Sequence, residues 1–199
     1  MTLLDAFLPV FQFRERHSVV IAATPARIFE ALSARDLLGD DRIVRAMLAV
    51  RSAPAVLWQK LRAAPPPANA SFGMHSFVPL GRDGDREMAS GLAGRFWRPD
   101  GGLHVFGESD AVARAEAFRR FAEPGVAKLV LGFACVPDGP NTVLSTETRV
   151  CCPDLHSRVL FTPYWYAIRL GSGFIRMRML RAVKRVVESY PQTPMSSRM

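Results

Sequence analysis

Hydrophobic and polar side chains alternate most regularly near the end of the chain. The segment from Leu144 to Val150 alternates residue by residue, which is typical of a β-strand with two different faces. A long stretch with apolar residues at helical spacing follows and runs to Tyr190. A strand that leads into one long C-terminal helix predicts a helix lying across a sheet, with space for a ligand between the two layers.

The start of the chain predicts a strand followed by helices. A β-rich run covers residues 16–23. Thr24 and Pro25 then mark a helix start, because threonine favours the N-cap and proline the first helical position. Apolar residues at helical spacing carry this helix to about Ser33. Further helical segments are expected after Asp36 or Asp40 and at residues 55–61.

The middle of the chain predicts antiparallel strands joined by tight turns. Residues 72–80 and 87–97 form two strand patterns around the turn sequence Arg-Asp-Gly-Asp, which suits a hairpin. Residues 126–136 form another strand, and the turn at residues 138–141 leads into the strand at Leu144. Residues 115–121 are interpreted as extended because they lie among strands, although their composition is helical.

The order of elements predicts an α+β fold. We expect a curved antiparallel sheet of about six or seven strands, with the helices on one side of it. A chain of 199 residues with 49% hydrophobic content fits a single domain, placed at residues 1–190 with a frayed polar tail at 191–199.

The C-terminal helical stretch is predicted in two or more pieces. Asp154 can cap the first piece, and Pro163 should kink or restart it, with Thr162 as a new cap. The Gly-Ser-Gly sequence at residues 171–173 suggests a further break. Beyond it, apolar residues such as Ile175 line one helical face and arginines line the other.

The charge and cysteine content narrow the possible functions. Six of the cations behind the net charge of +8 lie in the last helix, where we interpret them as a solvated face without interleaved exposed aromatics. No nucleic-acid partner is therefore predicted. Three cysteines without metal-ligand spacing, and four scattered histidines, predict neither a metal site nor a cofactor. No apolar run reaches the length of a membrane span, and the first ten residues lack a cationic flank, so we expect a cytoplasmic protein without integral membrane association.

Charged side chains on two strands are the candidates for chemistry. Glu147 and Arg149 share one strand face, and the parity of residues 87–97 places Glu87, Arg95 and Trp97 on one face of another strand. If both faces line the cavity, a carboxylate there could transfer protons. The opposite parity, which turns a second set of residues inward, is equally good. That set comprises Leu144, Thr146, Thr148 and Val150.

The long helix adds three candidates for ligand contact. Tyr164, Trp165 and Arg169 lie on the part of the helix that would roof the cavity. A tyrosine hydroxyl and an arginine could orient a carbonyl-bearing or anionic ligand, and a tryptophan could provide a stacking wall. Aromatic residues at helical spacing more often belong to the core, and in such a fold one residue can serve both roles.

The element order resembles the START-like helix-grip superfamily, also called SRPBCC, which includes polyketide cyclases and lipid-transfer domains. The runs at residues 146–150 and 164–165, with Ser172, Ile175 and Arg176 beyond, look like an uncharacterised bacterial branch of it. The resemblance implies a mostly apolar cavity that holds a hydrophobic small molecule such as a lipid, a polyketide or an aromatic compound.

Three functions remain open at this point. The first is a non-catalytic carrier or sensor. The second is a cyclase- or dehydratase-like enzyme in which Glu147 or Glu87 moves a proton while Arg149, Arg95 or Tyr164 steadies an enolate oxygen. The third is an interaction module that uses its basic helix. The oligomeric state is not predicted.

Overall fold

The computed structural model describes residues 1–33, 77–98 and 102–189, which form an α+β structure. The helices predicted after residue 36 and at 55–61, and the tail at 191–199, lie outside the described residues. The helices are α1 (Leu3–Phe7), α2 (Pro25–Ser33), α3 (Ala111–Arg120) and α4 (Leu155–Ser189), and the strands are β1 (Phe13–Ile21), β2 (Val78–Asp83), β3 (Glu87–Gly94), β4 (Ala127–Asp138) and β5 (Asn141–Cys151).

The strands of the described residues form one antiparallel sheet in the order β1-β5-β4-β3-β2. Tight turns join β2 to β3 and β4 to β5, and each contains a glycine in the left-handed region, Gly84 with φ of 50° and Gly139 with φ of 57°. Glycine adopts this conformation without steric cost, so the predicted turns are confirmed. The described ranges contain five strands, fewer than the six or seven predicted.

Helices cover both faces of the sheet, whereas the sequence predicted helices on one side. We call the face in contact with α2 and α4 the inner face. On it, Leu144 of β5 packs with Leu180 and Val183 of α4. We call the opposite face, covered by α1 and α3, the outer face, where Val130 of β4 packs with Phe118 of α3. The sheet is therefore the middle layer of a three-layer structure.

Residues 111–120 form helix α3, so the extended interpretation of residues 115–121 is wrong. The side chain of Asp110 caps the helix by accepting a hydrogen bond from the backbone N–H of Ala113 at 2.9 Å. Phe118 is fully buried against the outer face. Its ring approaches so closely that a Cβ on Gly91 of β3 would lie 2.6 Å from it. The cap and the alanine-rich composition thus favour the helix, and Gly91 makes room for it.

Helix α4 runs through Pro163 and through residues 171–173 without interruption, so the predicted restart at Thr162 and the predicted break at residues 171–173 are wrong. Asp154 caps the helix as predicted, with Oδ1 accepting from the Ser157 N–H at 2.7 Å. Thr162 does not start a new helix, because its hydroxyl donates to the carbonyl of Arg158 within the same helix at 2.7 Å. The parts of α4 before and after Pro163 both pack on the sheet, and this packing offsets the cost of the helical hydrogen bond that proline removes. Within the described ranges, no helix combines the length and apolar character needed to cross a membrane.

Candidate functional site

The register of β1 and β5 decides which side chains face α4. Phe13 of β1 pairs with Val150, and both pack against Phe161 and Trp165 of α4. Because side chains alternate between faces, every second residue from these positions also lies on the inner face. On β5 the inward set is therefore the one that contains Thr146 and Thr148, and on β1 it contains Glu15 and His17.

A buried carboxylate with a histidine and an arginine as its partners lies beneath α4. The Oε1 atom of Glu15 is 3.0 Å from Nε2 of His17, and its Oε2 is 3.3 Å from Nη1 of Arg176 on α4. The Glu15 side chain is 7% exposed and that of Arg176 is 13% exposed. A charge buried this deeply must be paired, and both partners are supplied here by the inner face and the helix.

Two threonine hydroxyls lie beside this carboxylate without partners. In the antiparallel register, Thr148 lies opposite Glu15 and Thr146 lies opposite His17. Both threonines are completely buried, and neither Oγ1 has a hydrogen-bond partner in the part of the chain that the structure describes. A buried hydroxyl without a partner costs about 1–3 kcal/mol. Together these five residues form what we call the inner polar cluster, namely Glu15, His17, Thr146, Thr148 and Arg176.

The other side of the threonines is apolar. On β4, Leu131 pairs with Thr148 and Phe133 pairs with Thr146. Leu129 and Met88 extend this surface along the inner face, and Phe77 packs against it. At the level of the two threonines, the inner face therefore changes from charged on β1, through hydroxyl-bearing on β5, to hydrophobic on β4. Such a gradient suits a molecule with a polar end and an apolar body.

Gly173 explains how α4 comes close enough to the cluster. A Cβ atom at this position would lie 2.7 Å from Oε1 of Glu15 and 3.2 Å from Nε2 of His17. Any larger residue here would force the Glu15 and His17 side chains to move from their observed positions. The glycine that suggested a helix break in the sequence is therefore a close-approach position above the inner polar cluster.

Burial acts on the charge of Arg176 in this cluster. Desolvation lowers the pKa of Arg176 from its ordinary value, and the negative charge of Glu15 opposes that shift. An ionised carboxylate only accepts hydrogen bonds, so contact with Glu15 favours a proton on Nε2 of His17. The second ring nitrogen, Nδ1, is then the one able to accept a proton. The cluster thus combines a carboxylate–histidine pair, a guanidinium and two hydroxyls.

Glu147 and Arg149, predicted as cavity residues, lie on the outer face. Nε of Arg149 donates to Glu147 at 2.7 Å, and its Nη1 donates to Asp5 of α1 at 2.7 Å. Arg14 donates two hydrogen bonds to the same glutamate, at 2.8 and 2.9 Å. Burial would raise the pKa of Glu147, but hydrogen bonds from Arg14 and then Arg149 outweigh it and lower that pKa. This network fixes α1 on the sheet at a distance from α4.

Glu87 and Arg95 do not join the predicted cluster of charges. Glu87 lies on the outer face and accepts a hydrogen bond from the Leu3 N–H at 2.7 Å, at the start of α1. Strand β3 ends at Gly94, so Arg95 and Trp97 lie beyond the strand. The alternation of side chains along the strand therefore does not place them on the same face as Glu87. Nε of Arg95 donates to the carbonyl of Gly125 at 3.2 Å.

The aromatic candidates gather at one end of the inner face. Trp165 is buried, Tyr164 and Trp97 are half-buried, and all three surround Phe161 with ring centroids 5.6–6.4 Å apart. They form a hydrophobic wall at the end of the sheet where β1 begins. Arg169 is exposed on α4 and does not reach this wall.

Glu15 was missed because the predicted strand began at residue 16, and His17 was missed because the side-chain parity of this strand was not considered. In the run Phe13–Ile21, both residues are in phase with the apolar residues at the two ends, which is the signal for an inward position. Arg176 was counted with the exposed arginines, although it follows Gly173 by three residues and so lies near the same helical face. Within the described ranges, no three His, Cys, Asp or Glu side chains gather as metal ligands.

A separate groove of about 460 Å³ lies on the outer face, away from this cluster. The residues that line it include Phe7, Val10, Phe121 and Lys128. Burial lowers the pKa of Lys128, and its ammonium donates to the carbonyl of Arg119 at 3.0 Å. The groove shares no residue with the inner polar cluster.

Comparison with known proteins adds little to this geometry. No family model matches the chain, and no curated protein matches it. The crystal structure of TTHA0849 from Thermus thermophilus aligns with it at 11% sequence identity and a TM-score of 0.30. The alignment covers 89% of this chain and 98% of that chain. A TM-score this low carries no argument about fold or function, so the site rests on its own residues.

Proposed function

We propose that the protein is a carrier or sensor with a helix-grip fold that binds a hydrophobic small molecule between the sheet and α4. The polar end of this molecule would lie at the inner polar cluster. Its apolar body would lie along the hydrophobic residues of β4, with Leu131 and Phe133 nearest to the threonines. A sheet with a long helix across one face is the arrangement that such a fold requires.

The unpartnered hydroxyls of Thr146 and Thr148 carry this proposal. Natural proteins leave few buried hydroxyls unsatisfied, and none of the described residues supplies a partner for these two, which supports a ligand oxygen in that role. A carbonyl or hydroxyl oxygen of a ligand could accept a hydrogen bond from either threonine. Because Glu15 and Arg176 already neutralise each other, an uncharged polar end fits better than a full extra charge.

Recovery of a bound compound from the purified protein tests the proposal. Extraction with organic solvent, followed by mass analysis, should yield one apolar compound or a narrow series with at least one oxygen. Removal of that compound should lower the melting temperature, and adding it back should restore it, because a ligand stabilises the folded state that binds it. The proposal fails if nothing is extracted and the melting temperature is unchanged by the treatment.

The Glu15–His17 pair supports a second candidate, a cyclase- or dehydratase-like enzyme. A histidine oriented by a carboxylate can take a proton from a ligand and return it elsewhere. In this candidate His17, held by Glu15, moves the proton instead of Glu147 or Glu87. Arg176 or a threonine hydroxyl would stabilise the developing negative charge on an enolate oxygen.

Deuterium exchange separates the two candidates. The compound recovered from the protein would be incubated with fresh protein in heavy water, and mass spectrometry would then measure how much deuterium it has taken up. An enzyme should introduce deuterium at an acidic carbon, and His17→Gln should reduce the rate by about a hundredfold or more. Glu147→Gln, on the outer face, is the matched control and should exchange at the normal rate. If His17→Gln exchanges deuterium as fast as the natural chain, this mechanism is excluded. If the natural chain shows no exchange above background, the result favours the carrier.

A further inference from the structure

The outward side of α4 carries a row of exposed large apolar residues. Their spacings of four and seven residues return them to one face of a helix with 3.6 residues per turn. With a rise of about 1.5 Å per residue, the row extends over roughly 28 Å. We call this row the α4 stripe, and it comprises Leu155, Val159, Tyr166, Leu170 and Phe174.

The α4 stripe is unusual for a protein surface. Single exposed apolar residues are ordinary, but contiguous apolar patches mark sites of interaction. Leu170, at the centre, is 86% exposed, and Tyr166 beside it is 64% exposed. Exposed aromatics therefore do lie among the arginines of this helix, contrary to the expectation from the sequence. The stripe lies opposite the part of α4 that packs on the inner face.

The charged residues of α4 between Leu155 and Val187 all have one sign. The sequence contains no acidic residue between Leu155 and Val187, although it contains seven arginines and lysines there. Arg181 and Arg185 follow Leu170 and Phe174 by eleven residues, three helical turns, and so continue the same face of α4. Both arginines are exposed, as are Arg158 and Arg169 along the margin.

We propose that the protein docks on an anionic membrane surface through the α4 stripe and these arginines. An apolar row with cationic residues at its margin and end suits the boundary between lipid headgroups and acyl chains. The arginines contact the phosphates, while the apolar side chains enter between the headgroups. All five residues belong to one helix, so a lipid surface can contact them together. This docking surface is separate from the inner polar cluster and does not depend on it.

Sedimentation with lipid vesicles tests the proposal on the full chain. Vesicles of phosphatidylglycerol and phosphatidylcholine in equal parts should bind the protein, and vesicles of pure phosphatidylcholine should bind it at least about tenfold more weakly. Leu170→Gln should lower binding to the anionic vesicles by about tenfold. Val112→Gln changes a residue of α3 that is 77% exposed and should leave binding unchanged.

Charge variants complete the test. The double variant Arg181→Gln with Arg185→Gln should weaken binding by about tenfold or more and reduce its dependence on salt. The matched double variant Arg86→Gln with Arg120→Gln removes the same charge elsewhere and should bind nearly as well as the natural chain. Equal sedimentation with both kinds of vesicle, or binding that survives Leu170→Gln, overturns the proposal. It is also overturned if the protein forms a dimer that Leu170→Gln dissociates, because the stripe would then be covered by a second copy.

Discussion

Replacement of Glu15 by glutamine removes the charge that neutralises Arg176 beneath α4. The two side chains are 7% and 13% exposed, so the arginine left behind would be a buried charge without its counterion. Removal of one partner from a buried ion pair costs about 3–5 kcal/mol. The single 3.3 Å contact and the remaining exposure of Arg176 place the expected loss at the lower end, about 3 kcal/mol.

Urea denaturation followed by tryptophan fluorescence measures this loss. The matched control is Glu116→Gln on α3, which breaks exposed contacts to Arg119 and Arg120 and should cost less than about 1 kcal/mol. The double variant Glu15→Gln with Arg176→Gln should recover part of the loss, with a coupling of about 1–3 kcal/mol. If Glu15→Gln costs no more than Glu116→Gln, or if the two changes are simply additive, the buried pair does not stabilise the protein as argued.

Two further predictions concern titration and reactivity. The lowered pKa of Glu147 gives stability that is present above its ordinary pKa of 4.5 and is lost as pH falls through the folded value. Glu147→Gln should therefore lose less stability between about pH 5.5 and about pH 3 than the natural chain, and an identical loss would contradict the assigned hydrogen bonds. Burial raises the pKa of Cys135 and Cys152 to about 12, so iodoacetamide should alkylate the half-buried Cys151 first in the native protein. Peptide mass mapping that finds Cys135 or Cys152 modified before Cys151 would refute this order.

Local patterns in the sequence predicted most of the described strands and turns. Alternation identified the β4–β5 hairpin. Gly84 marked the turn between β2 and β3, and Gly139 marked the turn between β4 and β5. These features depend on neighbouring residues alone. Helix α3 was missed because its neighbours along the chain were given more weight than the cap at Asp110.

The candidate site could not be predicted because it depends on contacts between distant segments. Alternation on β5 gave two equally good inward sets, and only the packing of Val150 against α4 selects the one with Thr146 and Thr148. Glu15 and Arg176 are 161 residues apart, and neither residue alone suggests the pair. In the sequence, Gly173 is compatible with a helix break or with close approach of the helix to another element, and only tertiary packing distinguishes the two.

The central claim is that the buried hydroxyls of Thr146 and Thr148 hold a ligand. Native mass spectrometry of the protein as purified tests it most directly, with the double variant Thr146→Val and Thr148→Val compared against Thr162→Val on α4. We expect a bound small molecule in the natural chain and in Thr162→Val, and at least about tenfold lower occupancy in the double variant. Once stripped of ligand, the double variant should be as stable as the natural chain or more so, because it no longer buries unpaired hydroxyls. Equal occupancy in all three proteins, or a double variant destabilised by more than about 1 kcal/mol, would contradict the account.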